Sequence, residues 1–244
     1  MNRLDGKTAV ITGGGSGIGL GAARRFVDEG AFVYLFGRRE AQLQAAAAEL
    51  GPNARAVAGS VTDFADLDRL YAKVKDERGG LDVLFANAGT GSFAALAEIT
   101  PEHYDEIFDL NVKALVFTVQ KALPLMGPGG SIILNASTSG VMGAPAFSIY
   151  SASKAAVRNL ARSWALDLKG SGVRVNVLSP GPTRTDLPLG ALGEAAFEAI
   201  GADTPMGRVG DVSETGAVAA FLASADSSFM TGSEVFVDGG MAQV

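Results

Sequence analysis

The chain contains no cysteine and only one histidine, His103. Without cysteine it can form neither disulfide bonds nor thiolate metal sites, and catalysis by a thiol is excluded. A single histidine excludes a metal site built from several imidazoles and argues against a serine–histidine triad. We therefore expect no metal site, and we interpret His103, which lies among acidic residues, as an exposed residue of a helix.

The sequence also lacks an excess of positive charge and long apolar segments. Its formal net charge is -6, which argues against nucleic acid and anionic membrane surfaces as main partners. No apolar run reaches the roughly 18 residues that a membrane helix needs, and the N-terminal residues show no signal-peptide pattern. We expect a soluble, cytoplasmic protein that has no nucleic-acid partner and no membrane partner.

Apolar residues and glycine are plentiful, and short β-branched runs alternate with helical patterns. Hydrophobic residues make up 48% of the 244 residues, which suits one globular domain over 1–244. Strands are predicted at 7–12, 31–36, 55–58, 83–86, 131–135, 173–178 and 235–237, and helices at 19–29, 40–50, 64–78, 101–126 and 148–169. This order predicts an α/β fold, a single-domain Rossmann-type doubly wound parallel sheet of about seven strands with helices on both faces.

A glycine-rich loop, TGGGSGIG at 12–19, follows the first predicted strand. Glycines allow backbone N–H groups to approach a pyrophosphate, and the next helix directs its positive end at that charge. No lysine follows as in an ATPase loop, and the strict GxGxxG spacing fits poorly. The loop predicts dinucleotide binding by Gly13, Gly15, Ser16, Gly17, Ile18 and Gly19.

The residues after the second strand indicate which dinucleotide is bound. NAD-binding proteins usually have an acidic residue there, whereas this chain has Gly37 followed by Arg38 and Arg39. Two guanidinium groups can pair with a 2′-phosphate, so NADP(H) is favoured and NAD(H) is the alternative. If both arginines are merely solvated, they carry no such preference.

Tyr150 and Lys154 lie four residues apart in the segment YSASK, about one helical turn. An ammonium beside a phenol favours the phenolate and lowers the phenol pKa, which makes the tyrosine a usable proton donor and acceptor. The spacing alone also fits a chance pair on the surface of a helix.

Together these motifs resemble the short-chain dehydrogenase/reductase family, and the match extends over nearly the whole chain. The motifs occur in the family's order: TGGGSGIG at 12–19, NAG at 87–89, Asn111, Ser137, YSASK at 150–154, and SPG at 179–181 followed by Thr185. The chain looks particularly like the NADP-dependent secondary-alcohol dehydrogenases of broad substrate range.

The resemblance implies four catalytic residues. Tyr150 would be the general acid in ketone reduction, and Lys154 would lower its pKa and bind the nicotinamide ribose. Ser137 would orient the substrate oxygen, and Asn111 would hold a water that links Lys154 to solvent. Further cofactor contacts are implied at Ser60, Val61, Asn87, Ala88, Gly89, Tyr150, Lys154, Pro180, Gly181, Thr183 and Thr185. Ser60 stands where the family often has aspartate, which leaves the adenine contact open.

The resemblance also places a substrate lid at about 186–205, and its apolar composition suits an apolar ketone or secondary alcohol. Leu187, Leu192 and Phe197 fit equally well as core residues of a surface helix. Phe147 and Met142 are candidate apolar walls of the pocket.

The chain could also be a 3-oxoacyl-carrier-protein reductase. Its acidic partner would require basic residues, for which Lys169 and Arg174 are candidates. Arg184 is the nearest cation for an anionic substrate, although a solvated arginine fits it better. A non-catalytic NADP-binding regulator is the alternative from another class. The family's assembly implies a homotetramer.

Overall fold

Seven parallel strands form the centre of the computed structural model, which describes residues 2–186, 190 and 193–244. The strands are β1 (Thr8–Thr12), β2 (Phe32–Gly37), β3 (Ala54–Ala58), β4 (Val83–Ala86), β5 (Ser131–Asn135), β6 (Arg174–Pro180) and β7 (Glu234–Val237). Their order in the sheet is β3-β2-β1-β4-β5-β6-β7. The strand order reverses between β1 and β4, and ligands of such sheets bind at the carboxyl ends of the strands beside this point. The predicted doubly wound parallel sheet is confirmed.

Eight α-helices of the described residues cover the sheet. They are α1 (Gly17–Asp28), α2 (Glu40–Leu50), α3 (Phe64–Arg78), α4 (Pro101–Phe108), α5 (Ala114–Ala122), α6 (Ser148–Asp167), α7 (Glu194–Ala202) and α8 (Val212–Ala223). Side-chain caps define several starts: Asp63 accepts a hydrogen bond at the start of α3, and Asp211 forms a capping box with Glu214 at the start of α8.

Apolar side chains form one core on each face of the sheet. Helices α1, α2 and α8 bury Phe26, Leu43 and Leu222 on one face, and α3, α5 and α6 bury residues such as Leu67 and Val157 on the other. Each large side chain buried in this way stabilises the fold by about 1.5–3 kcal/mol. None of the helices that the structure describes is both long and apolar enough to span a bilayer.

Glycines set the close packing of α1 against α8. A Cβ atom at Gly21 would lie 2.6 Å from the carbonyl oxygen of Val212, and one at Gly216 would lie 2.6 Å from that of Gly21. The two helices therefore touch through bare backbone, which holds the first turn of α1 in place below the glycine-rich loop.

The long helix predicted at 101–126 is helical through Leu125, but it is not a regular α-helix throughout. Helix α4 ends at Phe108, a π-helical turn covers Asp109–Lys113, and α5 follows. The extra residue in this turn places Asn111 against the backbone of Thr90, which is a tertiary contact that helical periodicity does not encode. The predicted helix at 148–169 ends earlier, at Asp167.

Candidate active site

A cleft of about 1380 Å³ lies at the carboxyl ends of the strands. It gathers nearly all of the predicted site residues: Gly13, Gly15, Ser16, Gly17, Ile18, Arg38, Arg39, Ser60, Val61, Asn87, Ala88, Gly89, Ser137, Tyr150, Lys154, Pro180, Gly181, Thr183 and Thr185. Gly19 and Asn111 are outside this lining. One cleft thus joins the glycine-rich loop to the YSASK segment.

The glycine-rich loop has the geometry of a pyrophosphate cradle. Gly13 and Gly17 have φ values of 66° and 53°, in the left-handed region that favours glycine. A Cβ atom at Gly13 would lie 2.9 Å from Nδ2 of Asn87, so a side chain would fill the space beside the loop. The first N–H groups of α1 have no intrahelical partners and are available to an anion. These residues fit a dinucleotide.

Gly19 is buried where the loop packs against α1. A Cβ atom at Gly19 would lie 2.3 Å from the carbonyl oxygen of Gly13, closer than any side chain allows. Gly19 thus lies beneath the loop and lets α1 approach it, and its contact with the cofactor stays a prediction.

A hydrogen-bond network holds the NAG segment to the first strand. The Thr12 hydroxyl accepts hydrogen bonds from the backbone N–H groups of Asn87 and Ala88, both at 3.0 Å. The Asn87 amide donates to the Thr12 carbonyl at 2.9 Å, and the Asn135 amide donates to Asn87 Oδ1 at 3.0 Å. The ends of β1, β4 and β5 are thereby fixed relative to one another.

Arg39 is placed at the rim of the glycine-rich loop. Its guanidinium donates a hydrogen bond to the Ser16 hydroxyl at 3.0 Å, while Arg38 is exposed beside it. Farther along the cleft, the Ser60 hydroxyl lies 2.7 Å from the Thr62 hydroxyl, and the Ser60 N–H donates to Asp66. The cleft-lining residues directly after β2 therefore carry two cations, and Glu40, which follows them, is not part of the lining.

Lys154 is buried with only 4% of its surface exposed. Its ammonium donates a hydrogen bond of 2.9 Å to the carbonyl of Asn135 and lies 5.6 Å from the centre of the Tyr150 ring. Burial lowers the pKa of Lys154 to about 8. The side chain therefore remains mostly protonated at neutral pH and brings a positive charge to the floor of the cleft.

Tyr150 does not have the lowered pKa that the sequence predicted. Burial raises the pKa of its phenol, and the Ser137 side chain opposes this shift by hydrogen bonding. The difference arises because desolvation disfavours the phenolate, while the Lys154 ammonium is directed at the Asn135 carbonyl. Ser137 also accepts a hydrogen bond from Ser139 N–H at 3.2 Å, which fixes its hydroxyl oxygen and leaves its proton free to donate.

The Asn111 side chain does not line the cleft and forms hydrogen bonds within the protein. Its amide accepts from the Thr90 N–H and donates to the Thr90 carbonyl, each at 2.9 Å, and donates to the Ser153 hydroxyl at 3.0 Å. Asn111 thus secures the segment after NAG against α6. Thr90 and Ser153 were missed by the sequence analysis, because no local pattern links them to Asn111.

Known proteins match this chain over almost its whole length. A family model described as enoyl-(acyl carrier protein) reductase matches residues 13–242. The oxidoreductase asL5 of Sarocladium schorii is 59% identical over 246 residues, which cover 100% of this chain and 99% of that protein. A solved structure described as a short chain dehydrogenase/reductase family protein aligns with a TM-score of 0.90 at 38% identity, covering 99% of this chain and 100% of the other.

The chain belongs to the short-chain dehydrogenase/reductase family. A 3-ketoacyl-(acyl-carrier-protein) reductase from Brucella melitensis, solved in complex with NADH, aligns with a TM-score of 0.91 at 32% identity, covering 98% of this chain and 99% of that one. Family members are oxidoreductases that act on CH–OH groups, use NAD(H) or NADP(H), and are typically oligomeric. The predicted family and enzyme class are confirmed.

Part of the wall beside Tyr150 in this short-chain dehydrogenase/reductase was not predicted from the sequence. Phe93 lines the cleft and contacts Phe147, and a Cβ atom at Gly91 would lie 2.9 Å from Cδ2 of Tyr150. Gly91 is therefore needed for the tyrosine ring to approach the backbone. The GSF run directly after NAG-Thr was an available signal, but only the fold brings it to Tyr150.

Arg184 forms ion pairs with other residues of this chain. Its guanidinium forms ion pairs with Glu194, at 2.7 Å, and with Glu198, both on α7. Phe197 of the same helix is buried and lines the cleft, whereas Leu187 and Leu192 lie outside the described residues. The candidate cation for an anionic substrate thus fastens α7 beside the cleft.

His103 is half-buried rather than exposed, which corrects the sequence interpretation. Both nitrogens of its ring are shielded from solvent and have no hydrogen-bond partner within the described part of the chain. Helix α4, which carries His103, packs against α6, a contact between segments distant in sequence.

Proposed function

We propose that this short-chain dehydrogenase/reductase transfers a hydride between NADP(H) and a ketone or secondary alcohol, with Tyr150 as the general acid and base. The observation that carries this proposal is the common cleft, in which Tyr150, Ser137 and the buried Lys154 lie beside a glycine-rich loop that fits a dinucleotide. When bound, the cofactor supplies or accepts the hydride, and the protein supplies placement and proton transfer.

Tyr150 and Ser137 are the groups that act on the substrate oxygen in this proposal. A phenol with a raised pKa stays protonated at neutral pH, so it can donate its proton to the oxygen of a ketone. The Ser137 hydroxyl, fixed by Ser139 N–H, donates a hydrogen bond to the same oxygen and stabilises its developing charge.

Lys154 and Asn111 support the tyrosine. The Lys154 charge lies close enough to the ring to reduce the cost of the phenolate that remains after proton donation. Because the Asn111 side chain is committed to Thr90 and Ser153, its backbone carbonyl in the π-helical turn is the group that would hold a water near Lys154. That water would return protons to the site.

Arg38 and Arg39 support NADP(H) as the cofactor. The Arg39 guanidinium is already held at the loop by Ser16, and both arginines can pair with a 2′-phosphate. NAD(H) remains the alternative, which is supported by the NADH bound to the Brucella melitensis relative.

An uncharged, apolar substrate suits the rest of the cleft. The apolar residues of its lining beyond the nucleotide loop include Phe93, Met142, Phe147, Phe197, Ile200 and Met241. The Arg184 guanidinium is paired with two glutamates, so it is not free for a carboxylate substrate. These features support apolar ketones and secondary alcohols as substrates.

The alternative is reduction of a 3-oxoacyl group on a carrier protein, which the Brucella melitensis relative supports by its description. Two features weigh against it. The Arg174 guanidinium is directed inward, where it donates to backbone carbonyls of Leu222, Ser224 and Ser227. Exposed side chains on one side of the cleft are mostly acidic, namely Glu102, Asp105, Glu106 and Asp109, of which Asp109 is paired with Lys113. An acidic carrier protein would be repelled there.

A lid over residues of about 186–205, a homotetramer and a cytoplasmic location complete the proposal. The Arg184 ion pairs support a lid that includes α7, because they link this helix to the segment after β6. Light scattering tests the assembly, and a mass near that of a monomer would contradict the homotetramer.

The test is turnover by the wild-type protein and by Tyr150→Phe. Purified protein is mixed with NADPH or NADH and with simple ketones, diketones or an acetoacetyl thioester, and nicotinamide absorbance is followed. We expect fast NADPH oxidation with apolar ketones. In Tyr150→Phe, kcat should fall by about 10²–10⁴-fold while NADPH binding, measured by fluorescence titration, is unchanged. Turnover with the thioester alone would support the carrier-protein alternative instead.

A further inference from the structure

Three aromatic rings stack next to the proposed reacting groups. Phe147 stacks on Tyr150, with ring centroids 4.3 Å apart and an interplanar angle of 24°. It also stacks on Phe93, with a centroid distance of 4.5 Å and an angle of 19°. Near-parallel rings at such distances attract one another beyond the effect of buried area alone. We call these three residues the aromatic column.

The backbone adopts a costly conformation to build this column. Ala146, directly before Phe147, has a φ of 56° and is the only non-glycine residue with positive φ in the described part of the chain. Its carbonyl accepts a hydrogen bond of 2.8 Å from the N–H of Ala94, the neighbour of Phe93. One bond therefore joins the two loops that carry the phenylalanines. A strained residue held beside a reactive group points to a functional requirement.

Gly91 lets the column approach the backbone. A Cβ atom at this position would lie 2.9 Å from Cδ2 of Tyr150 and 3.4 Å from Cζ of Phe147. The rings of Tyr150 and Phe147 therefore pack directly against the backbone of Gly91, which restricts their rotation.

Part of the column remains open to the cleft. Phe93 is 46% exposed, although it lines the cleft and stacks on Phe147. Met142 and Phe197 add apolar surface to the same cleft. A large exposed ring in an apolar pocket marks a surface that a ligand covers.

We propose that Phe93 and Phe147 determine specificity by selecting ketones and secondary alcohols that carry an aromatic or conjugated ring next to the reacting carbon. This inference rests on the proposed function, whose substrate class it narrows. A flat ring can meet the column in offset-stacked or edge-to-face geometry. A saturated ring of the same carbon number is thicker and has no π surface, so only the burial of its apolar area favours its binding.

The test compares acetophenone with cyclohexyl methyl ketone, which share the methyl ketone and differ in ring saturation. We measure kcat/KM with NADPH for the wild type, Phe93→Leu and Phe147→Leu, which remain apolar but lose the ring. The acetophenone to cyclohexyl methyl ketone ratio should fall about threefold to tenfold in each variant. The intrinsic reactivities of the two ketones cancel in this comparison of ratios.

Two further variants are controls. Phe147→Tyr retains the ring and should keep the wild-type ratio. Phe229→Leu removes a fully exposed phenylalanine outside the cleft and should also leave the ratio unchanged. A ratio that stays constant in both Phe93→Leu and Phe147→Leu would overturn the inference.

Binding is measured separately, so the inference does not depend on turnover. Each ketone is titrated by calorimetry into wild-type protein saturated with NADP⁺, and into the two leucine variants. If neither ketone is reduced, the proposed function fails. A preference for acetophenone in binding that the leucine variants lose would still support the aromatic column, whereas equal binding of both ketones by the wild type would refute it.

Discussion

We expect Gly37→Asp to move the cofactor preference from NADPH towards NADH. Gly37 ends β2 and lines the cleft beside Arg38 and Arg39. A Cβ atom there would meet only the Cδ atoms of Leu43, at 3.8 Å and 3.9 Å, which is ordinary contact distance. Its φ lies outside the left-handed region, so an aspartate fits without strain. The substitution therefore changes charge with little change in packing.

The magnitude follows from the charges at this rim. Like charges 4–6 Å apart repel by about 3–4 kcal/mol at the effective dielectric of a protein surface. Salt and the exposure of the arginines reduce this to about 2 kcal/mol, or about 30-fold in the KM for NADPH. With NADH, the new carboxylate can accept a hydrogen bond from the ribose 2′-hydroxyl, which is worth about tenfold in affinity.

The assay is steady-state kinetics with NADPH and NADH at a fixed, saturating ketone concentration. The control Gly37→Asn has nearly the same shape but no charge, and its ratio of kcat/KM values should stay within about threefold of wild type. Arg39→Ala should raise the KM for NADPH about tenfold and leave that for NADH unchanged. If Gly37→Asp leaves the KM for NADPH unchanged, a 2′-phosphate is not bound at this rim and the reasoning is wrong.

Two further predictions concern buried and paired charges. Burial lowers the pKa of Lys154 to about 8 from its ordinary 10.5, so the unfolded chain binds more protons between these values. The free energy of unfolding should therefore rise between pH 8 and 10, by on the order of 2–3 kcal/mol. Urea unfolding at each pH should show no such rise in Lys154→Met, and a rise that persists there would contradict this assignment. Arg184→Ala should raise KM equally, by less than about threefold, for a neutral ketone and its carboxylate analogue, because the exposed guanidinium is paired with two glutamates. If KM rises only for the carboxylate analogue in the same kinetic assay, Arg184 binds substrate instead.

Much of the nucleotide-binding half could be predicted from contiguous residues. The glycines of 12–19 follow a buried strand directly, and the absence of an acidic residue at Gly37 can be read at the end of the next one. Parallel topology then brings these strand ends to one edge of the sheet. The motif does not say which glycine faces the ligand and which faces the helix, and only the fold places Gly19 beneath the loop.

The identities of the proposed catalytic residues were predicted from the sequence, but the direction of their pKa shifts was not. The four-residue spacing of Tyr150 and Lys154 indicated a pair, but the direction of the phenol pKa depends on how completely the fold desolvates it. The role of Asn111 likewise depends on a π-helical turn and on Thr90, which lies in another segment. Helical periodicity carries no information about either contact.

The sequence by itself determined the sheet, the helices that follow its first five strands, the glycine-rich loop and the family of the enzyme, because these follow from hydrophobic periodicity and from short motifs in a fixed order. It did not predict α7 and α8, which only the structure shows. Only the tertiary structure decided that Arg184 is paired within the protein, and that Phe93 and Phe147 stack beside Tyr150. The physical reason is that an ion pair or a ring stack forms between side chains whose distance is set by the packing of separate loops and helices. Their spacing along the chain does not set that distance.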